Sequence, residues 1–133
     1  MYIMMNNLNW YHSLNLPFLT PPDEIFTPVW IVMYVILFLS FVIFLMTKSF
    51  YNKTYAVINF LLQLTANLLW GLVFFTYKSI LGGLLLVIIM WILTIIIMFQ
   101  FHKISKISAY LLIPYLLWIS FALYLNLSIF VLN

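Results

Sequence analysis

The chain has 133 residues, 68% hydrophobic and 5% charged, with a mean hydropathy of +1.22 and a formal net charge of +3. A soluble domain keeps about a quarter of its residues charged, so this composition excludes a water-clothed globule and describes a membrane protein. The small, scattered charge excludes nucleic-acid binding, and the absence of cysteine excludes disulfides, thiolate nucleophiles and thiolate metal ligands.

The first 27 residues are polar, aromatic and proline-rich, too mixed to cross a membrane. MYIMM is too short for the apolar stretch of a cleavable signal peptide, and polar NNLN follows it. Pro21-Pro22 imposes extended or turn geometry. The segment reads either as an interfacial lead-in or as a structured lid over the bundle mouth. Thr27-Pro28 reads as an N-cap followed by proline at the first helical position, with Asp23 and Glu24 near the positive helix end.

Span one, 28–47, is PVWIVMYVILFLSFVIFLMT. Span two covers about 55–77 and carries Asn59, Gln63 and Asn67 at a spacing of four, continued by Trp70 and Gly71. That spacing lays them on one helix face. Amides are costly against lipid, so the face looks at other helices or at a cavity. Interhelical hydrogen bonding and a ligand-facing stripe are the two readings. Span three covers about 79–101 and span four about 108–132. In span four Tyr115, Trp118 or Ile119, Ala122 and Asn126 share a face that combines aromatic walls with one small residue. Pro114 removes a backbone hydrogen bond near its start. Such a face suits a flat apolar ligand, to which aromatic rings offer stacking area.

Each span reaches the ~20 residues needed to cross the hydrocarbon core, and continuous apolar runs of that length are helices, which satisfy their own backbone in lipid. The fold class is therefore all-α: a single-domain integral membrane helical bundle over 1–133, with short connectors that force antiparallel neighbours. Lys48, Lys53, Lys103 and Lys106 fall on one side, and Lys78 falls on the other with Asp23 and Glu24. The positive-inside rule puts loops 48–54 and 102–107 in the cytoplasm and both termini outside.

The interfacial belt accounts for Trp10 and suffices for Trp30. Trp70, Trp91 and Trp118 lie mid-span, where they are core packing or pocket walls. His12 and His102 lie outside the spans, so no buried histidine is offered as an axial haem ligand or a zinc ligand. Intramembrane carboxylates, a Ser-His-Asp arrangement and a phosphate loop are also missing from the sequence. Acid-base catalysis has nothing to work with.

Three stretches carry a family resemblance. WYHSLNLPFLTPPDEIFTPVWIVMY, ANLLWGLVFF and LLIPYLLWISFALYLNLSIFVLN occur in the order in which the TspO/translocator protein family, the tryptophan-rich sensory proteins, carries similar segments. Together they extend over nearly the whole chain. The resemblance implies a small, often dimeric protein, here expected in the plasma membrane. It would bind porphyrins, haem-like tetrapyrroles and sterol-like or drug-like apolar ligands among its helices, under the loop with Pro21 and Pro22. It implies ligand-side roles for Trp30, Asn67, Trp70 and Trp118; Tyr115, Ala122 and Asn126 join them from the face of span four, and Tyr34 is counted with the site. No cofactor is required.

Three departures accompany the resemblance. The family has a further helix before the Trp-Tyr motif, so four of five helices are expected here, the chain being either truncated or a variant with its pocket open on one side. Gly82-Gly83-Leu84 stands where the family often has an acid. No lysine or arginine follows Lys106, so cholesterol specificity is not expected. The functions in view are a tetrapyrrole sensor or carrier, photo-oxidative porphyrin breakdown with Trp30 and Trp118 as the reactive indoles, and a structural bundle that assembles with a partner protein.

Overall fold

A computed structural model describes residues 23–77 and 79–133. The lead-in or lid reading of the N-terminal segment, with Trp10, His12, Pro21 and Pro22, therefore lies outside the described residues for positions 1–22, as does Lys78.

Among the described residues, four helices are long and apolar enough to span a membrane. Helix α1 is Asp23–Met46, α2 is Thr54–Gly71, α3 is Ile80–His102 and α4 is Lys106–Leu132. At 23 residues α3 is about 35 Å long by the usual rise per residue, enough for the hydrocarbon core. Helix α2 passes directly into a π-helical turn, Leu72–Thr76, closed by the Tyr77 amide donating to the Leu72 carbonyl at 3.1 Å.

The sequence places the start of the first helix at Thr27-Pro28, and here the structure differs. Helix α1 begins at Asp23 and Pro28 lies inside it. Proline removes only its own amide bond, and the amides of the preceding first turn have no intrahelical acceptor in any case. The cost falls on one carbonyl, which a membrane helix tolerates. Asp23 and Glu24 thereby occupy the first turn of the helix. Pro114 is likewise inside α4, which runs through it without a break.

Local chemistry sets the other ends. Ser79 caps α3 by accepting from the Gly82 amide at 3.0 Å, and Ser105 caps α4 by accepting from the Ser108 amide at 3.3 Å. The Lys53 ammonium closes the end of α1, donating to the carbonyls of Leu45 at 2.9 Å and Thr47 at 2.6 Å.

The helices form an arc: α1 packs on α4, α4 on α3, and α3 on α2. The two ends of the arc, α1 and α2, meet through long side chains. Near the α1–α2 and α3–α4 turns the bridge is aromatic. Phe41 stacks on Phe60 at 4.2 Å and Phe44 on Phe101 at 4.1 Å, with Phe60 and Phe101 6.1 Å apart. Ser40 on α1 adds a hydrogen bond, its hydroxyl donating to the Ser108 carbonyl on α4 at 2.8 Å.

Lipid tails are as apolar as leucine, so the hydrophobic effect does not hold these helices together once they are inserted; close packing and interhelical hydrogen bonds do. This separates two phenylalanines that composition cannot tell apart. Phe101 is fully buried in the phenylalanine stack, whereas Phe38 is 67% exposed. Phe101→Ala is expected to lower stability by up to about 3 kcal/mol, the low end of the range for soluble cores, because lipid can solvate the lost contacts. Phe38→Ala should leave unfolding in graded denaturing detergent unchanged. Equal effects of the two would contradict the arc packing.

Candidate functional site

The polar stripe of α2 turns inward, and each of its amides finds another helix. Asn59 donates from Nδ2 to Gln100 Oε1 on α3 at 3.1 Å. Gln63 and Asn67 both reach the hydroxyl of Tyr115 on α4, Asn67 through Nδ2 at 2.6 Å and Gln63 through Nε2. Asn67 Oδ1 accepts from the Tyr34 hydroxyl on α1 at 2.7 Å. Of the two readings of the stripe, interhelical hydrogen bonding therefore describes all three amides.

Tyr115 is the hub. Its side chain is fully buried, and its hydroxyl joins α2 to α4 while Asn67 carries the link on to α1. A hydroxyl receiving two N–H groups still has its own proton to place. Gln63 Oε1 is buried and has no partner among the described residues. Turning the Gln63 amide over exchanges its N and O, and the Tyr115 hydroxyl then donates to Oε1. The chain Tyr34–Asn67–Tyr115–Gln63 becomes a run of hydrogen bonds in one sense, each polarising the next.

Above this floor, toward the end where α1 begins and α4 ends, the aromatic residues gather. Trp30 on α1 lies 5.5 Å from Trp70 on α2 and 5.8 Å, edge-on, from Trp118 on α4, with Tyr34 at 6.0 Å. Trp70 stacks on Phe74 at 5.7 Å and Trp118 meets Phe121 at 5.7 Å. Trp70 also donates from Nε1 to Asn126 Oδ1 at 3.2 Å, and Asn126 Nδ2 donates to the Ala122 carbonyl at 2.8 Å. The eight residues singled out on ligand-side grounds thus fall into one connected cluster spanning α1, α2 and α4. Pro21 and Pro22, proposed to cover it, lie outside the described residues.

Several placements refine the sequence reading. Trp30 is 3% exposed, so it is an interior residue and not part of the interfacial belt. Trp118 and Ile119 divide the face of α4 between them: Ile119 is fully buried in the core and Trp118 is half-buried against Trp30. Trp91 stands apart, donating to Ser120 Oγ at 2.9 Å in the α3–α4 contact. Ala122 and Asn126 are both buried.

Two contributors escape the sequence reading. Phe74 belongs to the π-helical turn and follows Trp70 by four residues, a spacing that was legible but carried no polar signal. Gly83 acts through what it lacks. A Cβ at Gly83 would lie 2.8 Å from Phe74 Cδ2 and 3.3 Å from Asn126 Oδ1, so the absent side chain lets α3 come up behind the cluster. The place where an acid was noted as missing serves close packing.

The indole of Trp30 is the chemically open point. Its Nε1 is buried and has no hydrogen-bond acceptor among the described residues. An N–H in that state costs about 1–3 kcal/mol relative to a satisfied one. The cluster offers flat ring faces, the unengaged Trp30 donor and a hydrogen-bonded floor. Among the described residues it holds no histidine, because His102 closes α3 at the other end of the bundle.

A groove of about 330 Å³ exists elsewhere, between α3 and α4 near their connecting turn, and none of the cluster residues lines it.

These features define an integral membrane helical bundle with a buried tryptophan cluster at one end. The TspO/MBR family model matches residues 2–132. A tryptophan-rich protein TspO of Chlorobaculum tepidum is 38% identical over 94% of this chain and 80% of its own length. One from Archaeoglobus fulgidus is 36% identical over 93% and 80%. The tryptophan-rich sensory protein of Cereibacter sphaeroides is 31% identical over 93% and 77%. The chain belongs to the TspO/MBR family.

Tyr115→Phe tests the hub. It leaves the Asn67 N–H without its acceptor and the Gln63 amide without its partner, and is expected to cost about 1–3 kcal/mol, read as earlier unfolding in denaturing detergent. Trp91→Phe, which forfeits one hydrogen bond to a hydroxyl, should cost about 0.6 kcal/mol, the average for such bonds in membranes. A smaller loss for Tyr115→Phe than for Trp91→Phe would refute the hub.

Proposed function

We propose that this protein binds flat apolar ligands of the tetrapyrrole class between Trp30, Trp70 and Trp118, as a sensor or carrier. The observation that carries the reading is the buried Trp30 indole with no acceptor for its N–H, set among two further tryptophans. A porphyrin presents a broad π-face for the indoles and peripheral carboxylates or ring nitrogens for the donor. Each aromatic contact contributes about 0.5–1.5 kcal/mol beyond area burial. Several together with buried area bring micromolar affinity, about −8 kcal/mol, within reach. Trp30 touches both other indoles, so entry requires Trp118, the half-buried member, to move aside. The sensory reading has a counterpart in the name of the Cereibacter relative.

Protoporphyrin IX titration in detergent, followed by tryptophan fluorescence, is the test. Saturable micromolar quenching is expected, weakened about three- to tenfold in Trp118→Phe, which keeps a ring but loses area. Non-saturating quenching that is identical in the variant would refute the reading.

A second reading, photo-oxidative breakdown of bound porphyrin, draws on the 5.8 Å edge contact of Trp30 with Trp118, since adjoining indoles can relay an electron to an excited ligand. If it operates, light-dependent loss of the porphyrin absorbance should slow in both Trp30→Phe and Trp118→Phe. Unchanged turnover in both variants would exclude it.

We also infer a plasma-membrane protein with loops 48–54 and 102–107 in the cytoplasm, from the lysine asymmetry, and a homodimer, from the family resemblance. The cysteine-free chain makes orientation easy to measure. A single cysteine at exposed Ser49 should react with an impermeant maleimide only after cells are opened. Labelling of intact cells would invert the topology.

A further inference from the structure

The groove between α3 and α4 shares no lining residue with the tryptophan cluster and has a different chemistry. Its α3 wall is Ile95, Met98, Phe99 and His102, spaced so that all four share one face; its α4 wall is Ala109, Tyr110, Ile113 and Leu116. Ala109 is the small residue that opens it. The walls are apolar except at the end nearest the α3–α4 turn, where the rings of His102 and Tyr110 meet at 5.9 Å. Apolar walls with a polar end suit a hydrocarbon chain that carries a polar group.

The charge at that end has no internal counterpart. Lys103 follows His102 in sequence, and Lys106 begins α4 one turn before Ala109 and Tyr110. Both are exposed, and neither ammonium group forms a hydrogen bond or ion pair among the described residues. Lys53, by contrast, is spent on closing α1. The chain has two acidic residues, Asp23 and Glu24. They open α1, at the opposite end of the bundle, too far to neutralise the pair. An anion paired with them comes from outside the chain, at the depth where lipid headgroups sit.

We propose that this groove is a binding site for one anionic phospholipid. An acyl chain lies between α3 and α4, and the phosphate is held by Lys103 and Lys106, with the Tyr110 hydroxyl and His102 at its edge. Basic pockets between membrane helices take anionic headgroups in this way, and each nearby lysine favours the anionic lipid roughly fivefold. The apolar walls distinguish the site from a merely basic loop, which would attract such lipids to the surface without retaining one.

Native mass spectrometry of the protein, released from micelles holding equal phosphatidylglycerol and phosphatidylcholine, tests this. One phosphatidylglycerol molecule should be retained in preference. The preference should fall at least about fivefold in Lys103→Gln/Lys106→Gln. It should also fall in Ile113→Trp, which fills the groove from an exposed position and leaves the charge intact. Soluble glycerol phosphate should not displace the lipid. Helical circular dichroism and protoporphyrin quenching should stay as in the parent chain, so the lipid result stands whether or not porphyrin binds. Equal retention of the two lipids, a preference untouched by Ile113→Trp, or displacement by glycerol phosphate would each overturn the proposal.

Discussion

A buried hydroxyl in a medium without water must have its partners supplied by the protein, and in this bundle that hydroxyl is Tyr115. It pairs with the amides of Gln63 and Asn67, and Asn67 in turn takes the Tyr34 hydroxyl. Membrane helices gain nothing from hiding apolar surface from one another. The polar hub therefore does what a hydrophobic core does in water: it selects which faces meet. With α1, α2 and α4 joined through Tyr115 and Asn67, the indoles of Trp30, Trp70 and Trp118 have little choice but to converge one level higher.

Around that hub the remaining features make room. Gly83 brings α3 against Phe74 and Asn126, where any Cβ would collide. The π-helical turn at Leu72–Thr76 follows Trp70 immediately, a kind of irregularity often found beside functional sites. It adds a residue to the turn, and Phe74, within it, still reaches back to stack on Trp70. Asn126 holds the Trp70 indole in place while its amide nitrogen engages its own helix. The Trp30 indole N–H, buried beside Trp70 and Trp118, has no acceptor among the described residues.

Much of this was legible in the residues. Four uncharged apolar runs leave no alternative to four helices, and the four-residue spacing of Asn59, Gln63 and Asn67 marks the inward face of α2 without ambiguity. The spacing of Tyr115, Ala122 and Asn126 does the same for α4. Periodicity says which way a side chain faces and is silent on what it faces. So the choice between Trp118 and Ile119, the partner of each amide, and the interior position of Trp30 needed coordinates. Pro28 misled because helix-start statistics reward proline at the first position, whereas a long membrane helix absorbs the loss of one amide. Gly83 and the α3–α4 groove were invisible for a related reason: both are defined by missing atoms, and a sequence records only the atoms that are present.

The contact of Trp30 with both other indoles has an electronic consequence. Rings 5.5 and 5.8 Å apart share their excited states, so light absorbed by one is emitted, or lost, by the group. An oxidising equivalent arriving at Trp118 is likewise one ring away from Trp30 and two from Trp70. The three side chains form a single photophysical unit with its outlet at the half-buried edge.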